Sequence, residues 1–194
     1  MEAAVADLPQ VRLVYRPTGD MRDTCREVML EARDPDADVV AEFWLDDDDA
    51  IARNFVTRAR SDFVHGASIF EHHGLLNVDY QRGVVIRLTE DGVSYIPHLA
   101  RNWCAGQVLY LPPDHERCTI NYPHFKVWTQ MPQLTFSDQM MFARGDHSNN
   151  DSKISLAFGH SFKMEDEKLR DHMRKRFGFQ QGEFAAAWAA LRGS

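Results

Sequence analysis

Four consecutive carboxylates, Asp46-Asp47-Asp48-Asp49, follow the apolar triplet Phe43-Trp44-Leu45. Like charges this close repel one another, so the run is costly unless a cation offsets it. Carboxylate oxygens suit hard divalent ions such as Mg2+ or Mn2+. An ion held there can also grip the diphosphate of a nucleotide and support its departure. A solvated acidic loop, or a helix N-terminus where negative charge is favourable, explains the same residues without a ligand. Their position, after an apolar strand and before an amphipathic helix, favours the functional reading.

A second polar cluster, Arg144-Gly145-Asp146-His147-Ser148-Asn149-Asn150-Asp151-Ser152, reads as a loop with almost no apolar residue. Arg144 suits bidentate contact with a phosphate, or a bridge to an acidic neighbour. Asn149, Asn150 and Asp151 suit sugar hydroxyls, and equally suit turns. The other histidines, His65, His72, His73, His98, His115, His124 and His160, form no His-x-x-x-His or His-x-Asp pair. A metalloenzyme built from them and Asp79 is poorly supported by that spacing. Phe125, Trp128 and Trp103 are candidates to stack on a sugar face, with core packing the commoner fate of such residues. Cys25, Cys104 and Cys118 are odd in number and widely spaced, without a Cys-x-x-Cys pair, which argues against a disulfide framework.

The elements that must carry these groups follow from periodicity. Residues 11–15, Val-Arg-Leu-Val-Tyr, alternate between two prolines and predict a strand. Asp20 is a candidate N-cap for a helix whose stripe is Met21, Cys25, Val28, Met29 and Ala32. Residues 39–45 predict a buried parallel strand. Asp49 then caps a short helix marked by Ile51, Phe55 and Ala59. Strand, helix, strand, acidic loop and helix are the order of an open α/β sheet, whose ligands bind beyond the carboxyl ends of its strands. Further on, strands are predicted at 76–80 and 84–88. Asp91-Gly92 turns the latter into 93–96. A pair at 107–111 and 118–122 flanks Pro112-Pro113. From Lys163 the chain reads as helical, with stripes Leu169-Met173-Phe177 and Phe184-Trp188-Leu191 broken near Gly178 and Gly182.

The chain has 194 residues, enough for one domain, and 44% of them are hydrophobic. Its 22 basic and 29 acidic residues leave a net charge of −7, unsuited to general nucleic-acid binding. No apolar run approaches the roughly 20 residues of a membrane span. The N-terminal residues lack a basic segment followed by an apolar one, so no signal peptide is expected and the expected location is cytoplasmic.

Trp44-Leu45-Asp46-Asp47-Asp48-Asp49-Ala50-Ile51 resembles the Asp-x-Asp segment of GT-A glycosyltransferases, and the nearest likeness is the bacterial rhamnosyltransferase group. Further likeness lies in Tyr80-Gln81-Arg82-Gly83, Trp103-Cys104-Ala105-Gly106, Met131-Pro132 and Met141-Phe142-Ala143-Arg144 with the loop that follows, so it covers most of residues 5–155. The resemblance implies transfer of a sugar, rhamnose being one candidate, from a nucleotide-diphosphate donor to an acceptor saccharide or glycan precursor. It implies Asp46 and Asp48 as the Asp-x-Asp pair, with Asp47 and Asp49 the alternative register. Asp46, Arg144 and Asn150 would serve the donor. His147 would be a third metal ligand beside Asp46 and Asp48, and Mn2+ or Mg2+ the cofactor. An inverting transfer needs a carboxylate base, for which Asp138 and Asp151 are the candidates.

The implied fold is a GT-A-like, Rossmann-like open sheet lacking the first strand-helix-strand unit, in one incomplete domain. Residues 1–62 would form the α/β part with the metal loop, 63–162 a β-rich acceptor part, and 163–194 terminal helices. A truncated coding sequence, a fragment completed by a partner chain and a remnant without catalysis each account for the departure. The last makes the alternative function a binding or assembly protein. A sheet edge exposed by the missing strands would favour a homodimer.

Overall fold

The computed structural model describes residues 5–17, 19–90, 92–147, 156 and 159–192. In chain order the regular elements are α1 (Met21–Glu31), β1 (Val40–Glu42), β2 (Asp49–Ile51), α2 (Phe55–Asp62), α3 (Ala67–His73), β3 (Leu76–Tyr80), β4 (Arg82–Thr89), β5 (Gly92–Leu99), β6 (Gln107–Leu111), β7 (Gln133–Phe136), β8 (Phe142–Asp146), β9 (His160–Ser161), α4 (Asp166–His172) and α5 (Gln181–Arg192). Short 3-10 turns and a π-helical turn, Met173–Phe177, connect several of them.

The strands form two open, mixed sheets, of order β1-β6-β3-β7 and β2-β8-β4-β5-β9. β7 runs parallel to β3, and β8 parallel to β4; the other neighbours are antiparallel. The chain is therefore a mixed α/β protein with open sheets. β3 is central, and all five of its residues are buried. Leu76, Val78 and Tyr80 enter the main core with Phe55, Tyr110, Met140 and Met141. On the opposite face, Asn77 donates to Gln133 Oε1 across the sheet at 2.8 Å. The β4–β5 hairpin keeps register from Arg82–Leu99 to Thr89–Gly92, as the Asp-Gly turn predicts. The α1 cap also holds: Asp20 Oδ1 accepts the Asp23 N–H at 3.0 Å.

At the C-terminal end Leu169, Met173 and Phe177 pack into the main core as their spacing predicts. Arg53 N–H donates to Arg176 O at 2.7 Å and ties that end to the segment before α2. Gly178, at φ 80°, ends the turn in the left-handed region. Trp188 Nε1 donates to Thr89 O at 3.1 Å. The side chains of Phe184 and Leu191 lie outside the described set.

Several expectations are corrected. Residues 11–15 form no strand; Val11, Val14 and Tyr15 are exposed, because alternation supplies no pairing partner. The strand within 39–45 is only three residues long and antiparallel, at a sheet edge, because its neighbour β6 runs the other way. Asp49 does not cap a helix: β2 pairs with β8, and the helix starts at Phe55 after Asn54. Residues 118–122 are not a strand; a 3-10 turn spans Thr119–Asn121, and β6 pairs with β1 and β3 instead. Arg144, Gly145 and Asp146, expected in a loop, belong to β8. No helix among the described residues is long and apolar enough to cross a membrane.

Candidate active site

The segment after β1 is folded back by its own polar groups. Trp44 Nε1 donates to Asp46 Oδ1 at 2.6 Å. Asp49 N–H donates to Asp46 O at 3.1 Å, closing a turn over the aspartates. The β2–β8 ladder then sets Asp49 opposite Arg144 and Ala50 opposite Ala143. Gly145 N–H reaches Asp48 O at 3.1 Å and lies 3.3 Å from Asp49 Oδ1. A Cβ at Gly145 would stand 2.5 Å from Asp48 O, so the close approach of the turn to β8 requires glycine there.

Three carboxylates converge as a result. Asp46, Asp48 and Asp49 each offer an oxygen, all within 4.8 Å of one another. Among the described residues this is the one cluster of His, Cys, Asp or Glu able to hold a metal ion. Asp47 is exposed and outside the trio. Arg144 Nε stands 3.9 Å from Asp49 Oδ1, and His147 Nε2 stands 3.5 Å from Asp48 Oδ2.

The electrostatics follow from burial. The Asp49 carboxyl is pushed up to about 7, chiefly by burial. Asp48 and Asp46 add to that rise, while Arg144 and the Gly145 N–H oppose it. The Cys104 thiol is pushed up to about 12 by burial, with Asp46 and Asp49 contributing. It is neutral near pH 7 and unsuited to nucleophilic attack. His124 is held below its ordinary value by burial and then by Arg144, which Asp46 opposes.

Three cavities adjoin this centre. One of about 470 Å³ is lined by Trp44, Asp46, Cys104, Gln107, His124 and Arg144, among others. A second, about 280 Å³, takes Asp47, Asp48, Asp49, Gly145 and His147 into its wall. The third, about 870 Å³, is lined by Gln81, Arg101, Asn102, Trp103 and His160, and shares His124 and Phe125 with the first. Arg144 links them: its guanidinium lies 5.2 Å from the Trp103 ring centre while it faces Asp49.

Of the residues singled out from sequence, Asp46, Asp48, Arg144 and His147 are thus brought together. Asn150 and Asp151, with Ser148, Asn149 and Ser152, lie outside the described residues. Asp138 is held by Arg58, whose two terminal nitrogens lie 2.9 and 3.3 Å from its carboxylate oxygens. Arg58 keeps Asp138 below the usual carboxylate range. His72 and His73 touch each other at the end of α3, with ring centres 4.7 Å apart. Sequence reasoning named Asp49 only in the alternative register with Asp47, not beside Asp46 and Asp48, and it missed the role of Gly145; the β2–β8 pairing that sets both has no local signal.

A family model described as "Putative rhamnosyl transferase" matches residues 1–157. No curated protein and no solved structure gives a match to the chain.

Proposed function

The chain belongs to the putative rhamnosyl transferase family, and from that premise we propose that it is a metal-dependent glycosyltransferase of GT-A type. In this proposal it moves rhamnose or a related hexose from a nucleoside-diphosphate donor to a saccharide acceptor. The observation that carries the proposal is the convergence of Asp46, Asp48 and Asp49 within 4.8 Å, beside Arg144.

The donor set fits a hard divalent ion. All three groups are carboxylates, with oxygens within 4.8 Å of one another. Asp46, Asp48 and Asp49 would hold Mn2+ or Mg2+, with His147 next to Asp48. The ion would supply charge neutralisation for the departing diphosphate.

The chain's own groups do the rest. Arg144 holds Asp49 from β8 and presents a guanidinium to the cavity that contains Asp46, where a donor phosphate can be paired. Trp44 fixes the Asp46 side chain by its indole N–H. Cys104, neutral, keeps a hydrogen bond to Trp44 O at 3.6 Å and adds no charge. For the acceptor proton, Asp138 and Asp151 are the proposed bases. Arg58 makes Asp138 a weak base, which favours Asp151. Asn150, beside it in sequence, would bind a donor hydroxyl.

Thermal unfolding tests the proposal. Mn2+ should raise the midpoint, and a nucleoside diphosphate should raise it further only when Mn2+ is present. An ion at about 100 times its Kd contributes about 2.7 kcal/mol. Asp48→Ala should abolish both shifts. No response to Mn2+ overturns the metal site. A Mn2+ response with no nucleotide response, across nucleosides of different base, overturns the transferase and favours a non-catalytic binding protein.

A further inference from the structure

The cavity of about 870 Å³ falls within the size range of small-ligand sites, roughly 300–1,000 Å³. Its lining has a particular chemistry. Phe125 offers an exposed aromatic face, buried Trp103 backs the wall, Gln81 and Asn102 offer amides, and Arg101 offers a guanidinium. Among the described residues no carboxylate lines it, although the chain carries a net charge of −7. Arg101 is exposed and makes no ion pair among the described residues.

The wall is held from behind. Asp79 is fully buried, and its carboxylate accepts the Asn102 N–H at 3.1 Å and Gln81 Nε2 at 3.3 Å. Asn102 Oδ1 in turn accepts from Gln107 Nε2 at 3.2 Å. Asn102 sits at φ 56°, a left-handed conformation that a non-glycine residue adopts at some cost. Such strain persists where surrounding contacts over-determine it, and it concentrates at functional sites. Here it turns the chain between Arg101 and Trp103, which both line the cavity.

We propose that this cavity is the acceptor subsite and that the acceptor is an anionic saccharide. Phe125, the exposed aromatic of the lining, takes an apolar C–H face of a sugar ring, and Arg101 takes its carboxylate or phosphate in a charge-assisted pair. His124 and Phe125 line both this cavity and the one containing Asp46 and Arg144, so an acceptor seated here neighbours the proposed donor site. The inference rests on the transferase reading, and it adds the charge of the second substrate.

Calorimetric titration of the full chain, without metal or donor, tests it with three probes. These are methyl β-D-glucuronide, glucose 6-phosphate and methyl β-D-glucoside. At least one anionic probe should bind about tenfold or more tightly than the neutral glucoside, and the better of the two identifies the source of the charge. Arg101→Gln, a change at an exposed position, should erase that advantage. Phe125→Ala should weaken every probe. Equal affinity for neutral and anionic probes, an unaltered preference in Arg101→Gln, or no binding of any probe overturns the proposal. The Mn2+ and nucleotide shifts are read separately, so their survival alongside a failed titration removes the acceptor assignment alone.

Discussion

Asp49 and Arg144 are cross-strand partners in the β2–β8 ladder, with Arg144 Nε 3.9 Å from Asp49 Oδ1. The Asp49 side chain is 2% exposed, so its charge is offset by this one guanidinium and by the Gly145 N–H, against two neighbouring carboxylates. The pair should therefore be strongly coupled. At pH 8 without metal, Arg144→Met should destabilise the protein by about 2 kcal/mol, since it leaves a buried carboxylate without its cation. In an Asp49→Asn background the same change should cost less than about 1 kcal/mol. Urea unfolding of the four proteins closes the cycle, and additive effects would show that the two residues do not sense each other.

Gly145 controls how closely the aspartate turn approaches β8. Gly145→Ala puts a methyl group 2.5 Å from Asp48 O, where backbone rather than a pliable side chain must yield. The expected loss is about 1–3 kcal/mol, together with loss of most of the Mn2+-dependent rise in unfolding temperature. A variant that keeps the full Mn2+ response would show that the turn does not need this contact to gather its carboxylates.

The buried Asp79 carboxyl should make stability fall as pH rises. Burial raises its carboxyl from 3.8 to about 6, against the Asn102 N–H, the Gln81 amide and the charge of Arg101. A carboxyl raised in the folded state favours folding while it is protonated. Its contribution is complete below about pH 4 and is lost as pH rises to about 6, a change of about 3 kcal/mol. Asp79→Asn keeps an acceptor for the Asn102 N–H and removes the titration. The variant should gain on the parent protein as pH rises from 4 to 6.5, measured as the difference between their unfolding midpoints. Parallel midpoints over that range would contradict the assignment.

Much that positions the site is legible locally. The Asp20 cap marks the start of α1, and the helix forms there, although none of its residues is buried. The apolar run at 76–80 and the Asp91-Gly92 turn mark β3 and the β4–β5 hairpin. Leu169, Met173 and Phe177 recur every four residues, and that face is the one the core takes up. In each case the signal lies within one turn of helix or one hairpin, where periodicity and turn chemistry act directly.

From the residues alone came the acidic quartet after an apolar strand, the Arg144 and His147 cluster, and the likeness that joins them. Tertiary structure decided which carboxylates meet, that Asp49 belongs to a strand rather than to a helix cap, and that Asn102 and Trp103 border the largest of the three cavities around the site. Asp49 and Gly145 are 96 positions apart. Their contact depends on which strands become neighbours and in what register. Those are properties of the packed sheet, and no local period encodes them.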